Sequence, residues 1–325
     1  MDAPRLAKER AAAREAGGAS LMPRRFRKQK IDPVVQTLPN FIQTVNSIRD
    51  SWDVAPEESL WFRGQRDAGQ SLRPSVYRAR YDEDELRYDF ARRAVQFPLG
   101  WRPASDWEWY FLMQHYGVPT RLLDWSEGAL LALHFSLRAH EGATDAAVWM
   151  LDPWWLNRET LRRTGLLRRV RTASERDYIQ DYLPDPNDKK TAWILRYLPT
   201  TYTNARRPRL PAALQPPYID RRIAAQLSAF TIHGSDKDSL ETVARTSNDP
   251  HLIKIVVPKS RAASIRRDLV TAGVVETSVF ADLEGLAREI TSTYRAAQIP
   301  KESRRLRLPQ RMDESTRLRR RQMSR

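Results

Sequence analysis

Cysteine is absent from the sequence, which excludes disulfides, thiolate nucleophiles and cysteine-ligated zinc together. A reducing, cytoplasmic setting is the simplest expectation. Long apolar runs are also missing. The best stretch, Ala129–Leu137, is interrupted by His134 and falls far short of the roughly 18–20 residues that cross a bilayer. No membrane partner is expected. The N-terminus alternates Arg, Lys, Glu and Ala without the apolar segment of a secretory leader. The five histidines are scattered and no His-Glu-x-x-His occurs, so no metal site is expected. No strand candidate leads into a glycine-rich phosphate loop, which argues against Rossmann and P-loop domains. No Gly-x-Ser-x-Gly elbow supports a Ser-His-Asp hydrolase, and no internal repeat is apparent.

What the chain does have is arginine. Only nine lysines stand among the 55 basic residues, against 40 acidic ones. The net charge of +15 is unevenly placed. Residues 1–30 carry nine basic and three acidic side chains, and residues 301–325 carry ten and three. The intervening 270 residues are close to neutral. The expected organisation is a basic mobile arm at 1–30, an α+β domain at 31–300 and a basic tail at 301–325. The tails, with Arg24, Arg25, Arg27, Lys28 and Lys30 at one end and Arg319, Arg320 and Arg321 at the other, suit either plain solvation or nucleic-acid binding by counterion release. The 10 Trp, 11 Tyr and 9 Phe suffice for a sizeable core.

Leu38, Phe41, Ile42, Val45 and Ile48 predict one apolar helix face, with Pro39 in the first turn. Ser59–Phe62 reads as a strand running into Arg63-Gly64-Gln65. Residues 83–97 form a second amphipathic pattern, through Leu86, Phe90, Ala94 and Phe97. Ser105 or Asp106 can cap a helix over Trp107–Tyr116 that Gly117 stops. Thr120–Trp125 reads as a strand, with Ser126 as cap of a helix over 127–140. Ala146–Leu151 reads as a strand and Trp155–Arg169 as a helix. Residues 181–218 are proline-rich and fit a loop or insertion. Beyond it, Ile223–His233 and Leu252–Val257 read as strands. Helices follow at Ser260–Thr271, ending near Gly273, and from Asp282 to about Ala297. The irregular alternation predicts a single α+β domain with helices on a mixed or mostly antiparallel sheet.

Three segments can carry chemistry. In Trp61–Gln65, Arg63 offers a planar fork for a carboxylate or phosphate at the end of a sheet-edge strand. Gly64 permits close approach of a ligand or another backbone. The second segment, Gln114–Trp125, contains His115, Tyr116, Thr120, Arg121 and Asp124. Strand alternation sets Arg121 and Leu123 opposite Leu122 and Asp124, so Asp124 needs another partner, and Arg63 qualifies. The third is Arg221–Phe230, with Arg221, Arg222 and Gln226. Each has a bland alternative: a fold-fixing Arg63–Asp124 ion pair, a satisfied core His115, a packed His134. For the Trp101–Phe111 aromatics, the bland reading is simply core.

Together the segments resemble the FRG domain, whose Phe-Arg-Gly motif stands here as Phe62-Arg63-Gly64. Gln114–Trp125 followed by Ala132–Phe135 is similar to its most distinctive block, and Ile223–Phe230 and Val279–Leu286 to its closing motifs. The resemblance spans about residues 35–295 and implies bacterial and phage-associated settings without fixing a reaction. The segment order also looks like an ADP-ribosyltransferase fold of the Arg-Ser-Glu type, which implies NAD as cofactor and a toxin or phage-defence effector. On that pattern Arg63, with Gly64 and Gln65 beside it, grips the pyrophosphate or ribose. Thr120 or Ser126 fixes the nicotinamide ribose, Tyr116 or Trp125 stacks on the nicotinamide, and His115 and Arg121 line the pocket. Arg63, Asp124 and Gln226 are the catalytic candidates. Gln226 stands where the pattern has glutamate, so nucleotide binding without transfer is the alternative, with nucleic acid as a further partner of the basic tails.

Overall fold

The first helix forms because Thr37 accepts the Asn40 amide at 3.2 Å, satisfying an orphan donor of the first turn. The computed structural model describes residues 33–54, 58–79, 81–97, 103–138, 143–165, 183–184, 186, 189–198, 208–216, 227–280 and 283–298. Both basic tails, much of the 181–218 stretch, Arg221, Arg222 and Gln226 lie outside them. Helix α1, Leu38–Ser51, is followed by β1, Trp61–Gln65, and a 3₁₀ turn at Ser75–Tyr77. Next come α2, Glu83–Ala94, and α3, Asp106–His115. Strand β2, Leu122–Ser126, leads into α4, Ala129–Leu137, then β3, Ala146–Leu151, and α5, Pro153–Thr164. A 3₁₀ segment, Lys189–Tyr197, precedes β4, Ala212–Leu214, and β5, Ser228–Ile232. The chain continues through α6, Leu240–Arg245, β6, Leu252–Val257, α7, Lys259–Thr271, the single turn α8, Glu276–Val279, and α9, Leu283–Gln298. Among the described residues no helix is long and apolar enough to cross a membrane.

The punctuation follows from side-chain chemistry. Ser105 accepts the Glu108 amide at 3.3 Å to start α3, and Gly117 ends it at φ +77°. Asp152 accepts the amides of Trp154 and Trp155 to start α5. Three details depart from expectation. Ile42 and Phe97 are exposed, not core. Ser126 ends β2, and Gly128 occupies the cap position of α4, with the Ser126 hydroxyl accepting the Gly128 amide at 3.1 Å.

The six strands form one antiparallel sheet in the order β4-β5-β2-β1-β3-β6, so the fold is α+β. Strand β1 is therefore central, not an edge. It pairs with β3 along its whole length, from Trp61–Leu151 to Gln65–Ala147, but with β2 only at Phe62–Ser126. Helices α1, α4 and α7 cover one face around Phe62, Val148, Met150 and Ile255. Trp61, Leu123, Trp125 and Trp149 pack with α5 and α6 on the other. Helix α3 and the Lys189–Tyr197 segment close over Leu122, Phe230 and Ile232.

Gly64 explains how α4 reaches β1. A Cβ there would stand 2.6 Å from the Ser136 amide nitrogen and nearer still to the Ala132 carbonyl oxygen. Both obstacles are backbone, so neither can swing aside. Gly64→Ala is expected to cost about 3 kcal/mol, at the upper end of ordinary overpacking. A denaturant midpoint unchanged from the parent would show that α4 can retreat.

Candidate functional site

The opening of the β1–β2 ladder builds the site. Past Phe62–Ser126 the strands no longer pair, and the Arg63 guanidinium takes up the slack. Its Nη1 donates to the Asp124 carbonyl at 2.5 Å and stands 3.6 Å from a carboxylate oxygen of the same residue. The expected Arg63–Asp124 pairing is therefore present, though Arg63 sits on the central strand. Burial lowers the Arg63 pKa, with Asp124 opposing and Arg78 reinforcing the shift. The Nε of Arg63 is buried without a hydrogen-bond partner. Such an orphaned donor costs free energy that an acceptor on a ligand would recover.

Asp124 is held from a second direction. Gln114 Nε2, on the last turn of α3, donates to both carboxylate oxygens at 2.9 Å. The Thr120 hydroxyl donates in turn to Gln114 Oε1 and accepts the Leu122 amide at 3.1 Å. That chain fixes which way the Gln114 amide faces, because only its nitrogen can donate to a carboxylate. Side-chain exposure is 21% for Arg63 and 57% for Asp124, so a solute can reach the pair.

Both residues line a cavity of about 1800 Å³. Arg63, Gln65, Arg66, Gln70, Arg78, Gln114, His115 and Asp124 line it, with Ser126 at the strand end. Gln65 is almost fully buried and accepts the Trp149 indole N–H at 2.7 Å, so its amide is oriented by the core. Farther along, the wall is made by α4, α7, α8 and α9. There Glu276 stands 3.2 Å from His134 Nε2, 2.8 Å from Arg138 and 3.1 Å from Arg288. Arg138 and Arg288 also lie over the Phe280 ring, at 4.4 and 4.8 Å from its centre. Burial lowers the His134 pKa, with Glu276 opposing.

Four expected site residues are placed elsewhere or in other roles. Arg121 is 1% exposed and absent from the cavity wall. Its Nε donates to Glu83 at 2.6 Å, its Nη1 to the His233 carbonyl at 2.7 Å, and its Nη2 to the Tyr197 carbonyl. Tyr110, its phenol pKa raised well above normal by burial, donates to the same Glu83. Arg121 is thus a sealed structural cation. Trp125 borders the cavity but is 3% exposed, with its ring N–H on Thr231 at 3.0 Å, so little of its ring is open to stack on a nicotinamide. Tyr116 is 63% exposed, does not line the cavity, and meets His115 edge-on at 4.9 Å. Thr120 is fully buried and acts on the site only through Gln114. Gly64, which also lines the cavity, admits the α4 backbone where a Cβ would stand. Gln226 lies outside the described residues.

His134, expected as mere packing, instead faces the cavity and meets Glu276. Gln114 was legible only as one polar group of its segment, and Glu276 gave no signal: it lies 142 residues from His134. Among the described residues no cluster of three or more His, Cys, Asp or Glu could hold a metal ion.

No curated protein and no solved structure matches the chain. A family model described as FRG domain matches residues 58–145, a shorter span than the 35–295 the motifs suggested. That span contains Arg63, Gln114, Asp124, His134 and Arg138. The family's three-residue motif then has a physical division of labour: Phe62 anchors the α4 core, Arg63 bridges the opened ladder, and Gly64 admits the helix. Across residues 58–145, then, the chain matches the FRG domain.

Proposed function

We propose that the FRG segment binds a phosphate-bearing nucleotide and that an NAD-type dinucleotide is its substrate. One observation carries this reading: a guanidinium with an orphaned buried Nε stands beside a reachable carboxylate, at a break in the sheet that opens into an arginine-lined cavity. Arg63, with Arg78 nearby, would take the pyrophosphate through charge-assisted hydrogen bonds. Asp124 would supply the negative charge that Gln226 lacks. As the bond from ribose C1′ to the nicotinamide nitrogen breaks, the leaving nicotinamide takes the electron pair and C1′ becomes oxocarbenium-like. A carboxylate preorganised there by Gln114 favours that charge over the ground state. A water or acceptor hydroxyl then bonds to C1′ and gives up its proton. NAD consumption of this kind suits the toxin or phage-defence effector that the family resemblance implies.

A second reading, binding without transfer, draws on Gln114. Both Asp124 oxygens already accept from its amide, which tempers the charge available to a substrate. Mass spectrometry of NAD incubated with the protein separates the two. Turnover is expected to fall at least about 100-fold in Asp124→Asn, as when a key electrostatic group is removed from other enzymes, while ADP-ribose still binds. Unchanged NAD with the parent chain would leave the binding reading in place. Undiminished turnover in Asp124→Asn would remove Asp124 from the chemistry.

A further inference from the structure

The cavity is larger than one nucleotide requires. Small-ligand sites occupy roughly 300–1,000 Å³, against about 1800 Å³ here. The surplus lies along α7. Arg266, Arg267, Val270 and Thr271 line it at the spacing of one helical stripe, and Val274, just past the helix end, lines it too. The opposite stripe, Ala262, Ile265 and Leu269, is buried in the core, so the orientation of α7 is fixed by packing.

Two features of the α7 stripe point to a ligand. First, neither Arg266 nor Arg267 has an ion pair or side-chain hydrogen bond among the described residues, unlike Arg138 and Arg288 across the cavity, which are engaged by Glu276. Second, the stripe is not purely cationic: Val270 is 57% exposed between the arginines and Val274, and faces the same space. Cationic and apolar surface alternating along a groove suits a strand that presents phosphates on one side and bases or sugars on the other. A compact polyphosphate would use the arginines and leave the valines unmatched.

We propose that the α7 side of the cavity binds single-stranded nucleic acid, with Arg266 and Arg267 on successive phosphodiesters and Val270 and Val274 against the sugar–base side. This deepens the proposed function, on which it rests for the small nucleotide at the Arg63 end, by naming the class of second substrate. The strand would lie beside the reacting centre, placing a base or ribose hydroxyl as acceptor.

Fluorescence anisotropy with a labelled 12-nucleotide single strand tests it on the full chain. Reversing the stripe, Arg266→Glu with Arg267→Glu, is expected to weaken binding at least tenfold with an unchanged circular dichroism spectrum. Loss of two phosphate contacts should also flatten the slope of log affinity against log salt by about 1.4. Replacing Arg319, Arg320 and Arg321 by Ala controls for the tail. ADP-ribose affinity should stay within twofold in the α7 variant, so a failed strand site and a failed nucleotide site give different results. Strand affinity unchanged in the α7 variant, or abolished by the tail variant alone, would overturn the proposal. So would displacement of the strand by an equal charge of poly-glutamate.

Discussion

Arg121→Ala is expected to destabilise the protein by about 3–5 kcal/mol, because it strips the partner from a buried carboxylate. Glu83 would lose its arginine while keeping the Tyr110 hydroxyl, and the carbonyls of Tyr197 and His233 would lose these donors. Arg121→Lys should fare little better. One ammonium cannot reproduce a planar fork that serves three separate acceptors. The double change Arg121→Met with Glu83→Gln removes the uncompensated charge and should recover part of the loss. Urea unfolding followed by circular dichroism measures all three. A single-variant loss below about 1 kcal/mol would mean that water reaches the Glu83 carboxylate.

Stability should also fall in acid, and His233 contributes one distinct slope. His233 is 1% exposed, and its pKa is pushed down to about 3 by burial, then by the charge of Arg121. In the unfolded chain the same imidazole titrates near 6.5. Above that pH both states hold it neutral and its contribution is intact. Between about 6.5 and 3 only the unfolded state takes up the proton, so stability drops by up to about 1.4 kcal/mol per pH unit. Carboxylates add their own slopes, so the informative quantity is the difference between the parent and His233→Leu. That difference should shift steadily in favour of the variant from pH 6.5 downward. A difference independent of pH would show that His233 is solvated or already protonated in the folded protein.

The sequence was most legible where one physical cause dominates. Ala146–Leu151 is apolar throughout because β3 is buried on both faces between β1 and β6, and a continuous run says as much. The ends of α3 and α7 are set by Ser105, Gly117 and Gly273, whose caps and positive φ need no tertiary partner. Alternation along β2 separated Arg121 from Asp124 and left Arg63 as the plausible partner of Asp124, which the 3.6 Å approach bears out.

Legibility failed where the outcome depends on which face of an element meets solvent. Alternation also placed Trp125 opposite Asp124, but could not say that Asp124 stays exposed to the cavity while Trp125 is buried in the cluster with α5 and α6. Arg121 looked like a ligand-binding cation because its neutralising residue, Glu83, lies 38 positions away on another helix. The centrality of β1 was hidden as well, since its neighbours β2 and β3 are set by long-range pairing. Gly64 gave a true signal of close approach, and only the fold shows that the approaching group is α4.

Calorimetric titration of ADP-ribose into the parent chain and into Arg63→Ala tests the site most directly. ADP-ribose carries the pyrophosphate assigned to Arg63 and cannot react, so binding is read apart from turnover. Charge-assisted hydrogen bonds contribute roughly 1.5–3 kcal/mol each, so affinity should fall about 10- to 100-fold in a variant that remains folded. Equal affinity in the two chains, or no binding by the parent, would contradict the assignment of the Arg63–Asp124 opening as a nucleotide site.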